Sequence, residues 1–392
     1  MSSETARIGI LCPGYGTIPR GVETFIGELV PRLRQLRPGW TFDIYCRAAS
    51  RNVGSGMKVV HVPAIDRNGS AATLYARLAH RLRLFLRTRI DAECLSFTVA
   101  AAPRLLRARY DLIFNQAGPF AGQLLRLKRR TDGTPFVHKT ASGHGRLELI
   151  MARQQPDAIV ATSPYVKDWL EKRISKLQIE YIPNAVDCTT FRPYSKEELE
   201  AARNGLAILE LNRPVILFVG AMDPMKRPHL LISAASTIPE VSLVMVGSGR
   251  LAESIRKLGV EKFGADRFLH IARASREQMA IYYNACDLFT LPSEEPFGIA
   301  FLEAMACDKP VVGHDSPVQR WIFGEAGLTC DCTNPEEYGR TIRRALDSDL
   351  RGRARERGRE FDWPEIARRY ESLLSRVASR GHRDRASGGA SG

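Results

Sequence analysis

Apolar residues in this chain fall in short blocks, separated by stretches where they recur every three or four positions. Residues 7–13, Arg-Ile-Gly-Ile-Leu-Cys-Pro, form the first block and read as a buried strand. A loop of glycine and proline leads to Gly21, and a helical pattern then covers 22–36. Further strand blocks stand at 41–46, 59–62, 111–115, 136–139, 157–162 and 180–182. After a charged helical segment at 196–203 the pattern restarts, with strands at 214–220, 242–247, 268–271, 288–291 and 310–313. Strands alternating with helices predict parallel sheets joined by right-handed crossovers. The expected fold class is therefore α/β, with two Rossmann-like domains whose parallel sheets face a central cleft. The domains are expected at 1–188 and 189–361. A helix at 362–376 is expected to pack back on the first domain, and a basic Gly/Ser-rich tail, 379–392, to be disordered.

Composition narrows the class. With 44% hydrophobic and 26% charged residues the chain resembles a water-soluble globular protein, and no apolar run reaches the roughly 18–20 residues that span a bilayer. The start, Met1-Ser-Ser-Glu-Thr-Ala-Arg-Ile, lacks the basic-then-apolar order of a secretory signal, so the expected location is the cytoplasm. Eight scattered cysteines fit reduced, mostly buried thiols; only Cys330 and Cys332 are close, and no Cys/His spacing suits zinc. A net charge of +14 favours polyanions: nucleic acid, an anionic membrane, or phosphorylated small molecules.

The stretch Glu295-Pro-Phe-Gly-Ile-Ala-Phe-Leu-Glu303 carries the sharpest chemical signal. Pro296 suits a first helical turn and Gly298 a close backbone approach, so a helix start with bare N–H groups is expected there. Glu303, about two turns on, can share a face with Ile299. Lys226 and Arg227 follow Gly220 at a strand end and could neutralise a diphosphate. Gly247 and Gly249 end the next strand. His144 lies between two glycines after the strand at 136–139. Gly14-Tyr-Gly16 lacks the third glycine of a dinucleotide fingerprint, because Pro19 takes its place. What remains is a glycine-rich loop ending at Gly21. Asp347-Ser-Asp349 reads as a polar helix end, and no carboxylate cluster has convincing metal spacing.

Residues 74–89 put Leu74, Leu78, Leu82 and Phe85 on one helical face, ringed by Arg77, Arg81, Arg83, Arg87 and Arg89. Such a helix either lies on an anionic bilayer or turns its leucines into the core with a solvated basic rim. No recognition helix or aromatic strand pair points to nucleic acid.

In this order the motifs resemble glycosyltransferase family 4, over roughly residues 7 to 374. Glu295 to Glu303, extended to Val312, resembles the family's paired-glutamate motif. Ile182-Pro-Asn-Ala-Val-Asp187 with Phe191-Arg-Pro193 is similar to its domain junction. Phe218-Val-Gly-Ala-Met-Asp-Pro-Met-Lys226 is similar to its strand-loop-lysine element, and Phe361-Asp-Trp363 to its closing segment. The resemblance implies the GT-B fold and a retaining, metal-independent transferase without cofactor. Its partners would be a nucleotide-diphosphate sugar, with UDP or GDP, and a hydroxyl acceptor, lipid-linked or of the cell envelope, met at the inner face of the membrane. It makes Glu303 the ribose ligand, and Glu295, with His144, a neighbour of the sugar. Lys226 faces the leaving phosphate, which Phe297, Gly298, Arg227 and Gly21 also approach. Two positions depart from the pattern: Ala221 stands where arginine is frequent, and Arg20 precedes Gly21. A nucleotide-sugar epimerase or phosphorylase of the same architecture, and a basic nucleic-acid-binding protein, are the rival readings.

Overall fold

The computed structural model describes residues 5–388, apart from 18–20, 50, 53–55, 85–86, 142–144 and 203–213; of 51–52 and 382–388 only the backbone is described. The chain divides into two compact units, Met1–Pro183 with Pro364–Gly392, and Asn184–Trp363. The first break falls at Pro183, before Asn184, where 188 was expected.

The first unit holds an eight-stranded sheet: β1 Ala6–Leu11, β2 Trp40–Cys46, β3 Arg51–Asn52, β4 Met57–His61, β5 Leu112–Asn115, β6 Phe136–Lys139, β7 Ala158–Ala161 and β8 Ile179–Tyr181. Their order is β3-β4-β2-β1-β5-β6-β7-β8. Only the two-residue β3 runs antiparallel. The strands are short and almost wholly buried because helices cover them, which is why they read as continuous apolar runs. The second unit has six strands: β9 Val215–Val219, β10 Ser242–Val246, β11 Phe268–Ile271, β12 Leu288–Leu291, β13 Val311–His314 and β14 Gly327–Cys330. All are parallel, in the order β11-β10-β9-β12-β13-β14. The chain winds outward from β9 to β11 and returns to pair β12 with β9. That reversal opens a crevice at the carboxyl ends of β9 and β12, the place where open α/β sheets bind ligands.

Two expectations about helices fail. The terminal helix does not stop at 376 but runs from Trp363 to Gly388, so residues 379–388 are helical where disorder was expected, and 389–392 lie outside the described residues. Its arginines and alanines are good helix formers, and a helix already docked needs no new nucleus to extend. The segment 74–89 is not one helix. Ser70–Arg81 forms a helix, Arg83 turns to a left-handed φ of 52°, and a second helix, Arg89–Arg107, starts under a capping box of Thr88 and Asp91. Only Ala72 and Ala79 of the first helix are buried; Leu74, Leu78 and Leu82 are 58%, 50% and 68% exposed, so the core-facing alternative is wrong. Small alanines let this helix lie close to its neighbour, and the leucines are left outside. Phe85 lies outside the described residues.

Tyr370 of the terminal helix is fully buried, its ring 5.3 Å from Phe25 and 6.1 Å from Phe114. Tyr370→Ala therefore removes a large core aromatic and should lower stability by about 3–5 kcal/mol, read from denaturant unfolding. A loss under about 1 kcal/mol would show that the helix contributes little to that core.

Candidate functional site

The chemistry gathers at the crevice of the second unit. After β9 the chain passes Gly220 to a short turn, Pro224–Lys226, closed by Arg227 at a left-handed φ of 51°. After β12 it passes Ser293 and Glu295 and enters the helix Ile299–Ala306. Lys226 Nζ lies 2.6 Å from both Glu295 carboxylate oxygens. The Ser293 hydroxyl donates to the same carboxylate, which is almost wholly buried. Arg227, next to Lys226, has a buried Nη1 with no hydrogen-bond partner among the described residues. A buried guanidinium nitrogen without an acceptor is costly, and an anion at the crevice would satisfy it.

The helix beyond Glu295 starts two residues later than expected. Pro296 and Phe297 precede it, and Gly298 is its N-cap with φ 82° and ψ 67°. A Cβ there would sit 2.7 Å from Phe301 Cδ2 and 3.3 Å from Glu295 Cβ, so glycine is required on both counts. No side chain caps the helix; Phe301 N–H donates to Gly298 O at 3.0 Å, which leaves the N–H groups of Ile299 and Ala300 for another acceptor. Phe297 is an anchor: its buried ring packs edge-on against Trp321 at 6.2 Å and Phe361 at 6.1 Å. Ile299 is half-buried in the first turn.

Glu303, in the second turn, accepts a hydrogen bond from the Tyr283 hydroxyl at 2.8 Å. Burial, and then the adjacent Glu303 carboxylate, push the Tyr283 hydroxyl well above its ordinary range, so it remains a donor. Nothing near position 303 in sequence announces Tyr283, which comes from the helix Arg276–Ala285. Ser293 was legible two residues before Glu295 but was not singled out.

Gly247 and Gly249 do a structural job. Their φ angles are 145° and 159°, and a Cβ would come within 1.9 Å of Gly220 O and 2.6 Å of Met222 O. They let the loop after β10 lie on the loop that carries Lys226, through Gly220 N–H to Val246 O and Met222 N–H to Ser248 O, each 3.0 Å. Ala221, where the family resemblance expects arginine, is half-buried in that loop.

In the first unit Gly21 opens the helix Gly21–Leu36 and is exposed. His144 and Arg20 lie outside the described residues. The flank of His144 is built from buried polar groups. Ala141 N–H donates to Glu148 Oε1 at 3.2 Å, and His138 Nε2 lies 3.4 Å from Glu148 Oε2. Lys139, wholly buried, holds its ammonium 4.4 Å from the Phe25 ring centre. Burial lowers its pKa to about 8, against a smaller upward pull from Glu148.

Among the described residues no group of three His, Cys, Asp or Glu side chains could hold a metal ion. Asp347 is the C-cap residue of the helix Pro335–Leu346, a helix end as expected. None of the eight cysteines is in a disulfide, and Cys330 Sγ and Cys332 Sγ stand 3.8 Å apart.

Two predictions follow from these contacts. Tyr283→Phe deletes one hydrogen bond to the Glu303 carboxylate, typically about 1.5–3 kcal/mol; ligand affinity at the crevice, read by calorimetry, should fall roughly tenfold or more. Unchanged affinity would remove Tyr283 from the site. For Lys139 the folded state binds fewer protons than the unfolded state between pH 8 and 10.5. The destabilisation by Lys139 is thus complete below pH 8 and is relieved as pH rises through that window, by about 3 kcal/mol. Lys139→Met should abolish this slope in chemical unfolding, and an unaltered slope would refute the assignment.

Comparison with known proteins identifies the family. The family description "Glycosyltransferase Family 4" matches residues 19–190, and "Glycosyl transferases group 1" matches 207–361. The chain is 28% identical over 421 residues to a D-inositol 3-phosphate glycosyltransferase of Nocardioides sp., covering 93% of this chain and 87% of the relative. It is 27% identical over 309 residues to a GDP-mannose-dependent monoacylated alpha-(1-6)-phosphatidylinositol monomannoside mannosyltransferase of Corynebacterium glutamicum, covering 71% and 80%. The sucrose-phosphate synthase structure from Thermosynechococcus elongatus superposes with a TM-score of 0.77 at 21% identity, covering 96% of this chain and all of that one. The two α/β units are those of a GT-B enzyme, and the chain belongs to glycosyltransferase family 4.

Proposed function

We propose that this glycosyltransferase moves a hexose from a UDP- or GDP-sugar to an acceptor hydroxyl, with retention at the anomeric carbon and without a metal. The observation that carries the reading is the Lys226–Glu295 contact beside an uncapped helix start at Gly298, with Arg227 next to Lys226 in its loop and Glu303 in the second turn of that helix. Cations and bare N–H groups suit a diphosphate, and carboxylates suit sugar hydroxyls. Breaking the anomeric C–O bond leaves negative charge on the diphosphate, and donors already aimed there lower the barrier most. The acceptor's proton passes to the departing phosphate oxygen, so no protein base is needed. Glu303 then holds the ribose hydroxyls and Glu295 the sugar, and the family resemblance adds His144 as a ligand of the sugar and Gly21 as a ligand of the phosphate. Gly247 and Gly249 support the loop of Lys226 and Arg227.

The acceptor is a hydroxyl on a glycan or lipid-linked carrier. Both relatives support this class, one named for an inositol phosphate and the other for a mannosylated phosphatidylinositol. The expected place of work is the cytoplasm, at the inner face of the membrane.

A thermal-shift screen with UDP-, GDP- and ADP-sugars tests the donor. A ligand at about 100 times its dissociation constant adds about 2.7 kcal/mol to stability, so the right donor should raise the melting temperature. Glu303→Ala and Lys226→Ala should each abolish that shift and the transfer. Undiminished turnover in either variant would refute the site. Epimerisation of the donor without acceptor would favour the rival enzyme class, and an inverted product anomer would overturn retention.

A further inference from the structure

The helix Ser70–Arg81 presents a surface that the transferase reading leaves unused. It packs inward through Ala72 and Ala79. At about 100° per residue Leu74, Leu78 and Leu82 form a single row turned well away from those alanines. Beyond the left-handed turn at Arg83 the chain folds back, Leu84 N–H donating to Ala79 O at 2.9 Å, so the row ends at Leu82. Three leucines in one row, each at least half exposed, are unusual on the surface of a soluble domain and mark an interaction site.

The surrounding charge selects the partner. Between Ser70 and Ile90 there are five arginines and no carboxylate. Arg77 and Arg81 flank the leucine row and Arg83 follows it, all exposed and none in an ion pair among the described residues. A second protein would have to match a row of leucines bordered by unpaired arginines. An anionic bilayer meets both demands without specific shape, since leucines enter the acyl boundary and guanidinium groups pair with headgroup phosphates. No helix among the described residues is long and apolar enough to cross a membrane.

We infer that the face of Leu74, Leu78 and Leu82, with Arg77, Arg81 and Arg83, docks the first unit on an anionic membrane surface. The inference deepens the reading above, in which the acceptor is met at a membrane, and it names the protein surface that makes the contact. The contact is peripheral and reversible, because one short row of side chains buries far less apolar surface than a spanning helix. It weakens as salt rises, because part of its strength is screened charge.

Vesicle co-sedimentation of the full chain, without any sugar nucleotide, tests it. Vesicles of phosphatidylcholine with about 30% phosphatidylglycerol should bind at least roughly tenfold more tightly than phosphatidylcholine alone. Leu74→Ser/Leu78→Ser/Leu82→Ser should abolish binding, and Arg77→Gln/Arg81→Gln/Arg83→Gln should remove the preference for anionic lipid. Both triple variants should keep the wild-type melting temperature and its rise with donor, which separates this outcome from a failure of the transferase reading. Equal binding to both vesicle types, or undiminished binding by the leucine variant, would overturn the inference. So would a concentration-dependent dimer in sedimentation velocity that the leucine variant dissolves, since the row would then face a second copy of the chain.

Discussion

Burying the Glu295 carboxylate is tolerable only because Lys226 and Ser293 meet it, and that requirement organises the crevice. A buried charge without partners costs several kcal/mol, so the loop after β9 and the loop after β12 are obliged to lie together. Gly247 and Gly249 make this feasible by letting the loop after β10 cross at backbone distance. Gly298 completes the arrangement, since only its left-handed turn brings the helix start beside Glu295 without a clash. A carboxylate, a lysine and three glycines thus form one constraint, spread over some seventy residues of sequence.

The same pair serves a second purpose. Lys226 and Glu295 neutralise each other where phosphate and sugar are proposed to bind. A donor carries its own anion and its own hydroxyls, so it can exchange one set of partners for another without leaving either charge bare. Arg227 Nη1 has no hydrogen bond to give up, so an acceptor oxygen there would satisfy a buried donor.

Much of this was legible in the sequence. The strands were apolar runs bounded by turns, and β6, β11 and β12 fall on the residues expected. The paired glutamates and the lysine after β9 could be found because the helix start and strand end that hold them leave local signs. Tyr283 could not, because its role depends on two helices meeting rather than on spacing. Helix ends were also opaque where composition stayed uniform. The arginines and alanines after position 376 continue a helix or dissolve it according to what the earlier turns are docked against. The leucine row misled in the opposite sense: periodicity shows that leucines share a face, not which way the face turns, and alanines proved to hold the inner side. Likewise, Gly247 and Gly249 signalled a close approach correctly, but the approaching group is the neighbouring backbone.

The first unit is built from both ends of the chain, with Tyr370 seated beside Phe25 and Phe114. During synthesis the opening 183 residues leave the ribosome with that seat empty, and the whole intervening unit must emerge before it is filled. Asn184–Trp363 can close its own core in the meantime. The later-made unit is thus the first able to mature, and the earlier-made one must persist partly open, a period in which chaperone binding or premature truncation would tell most.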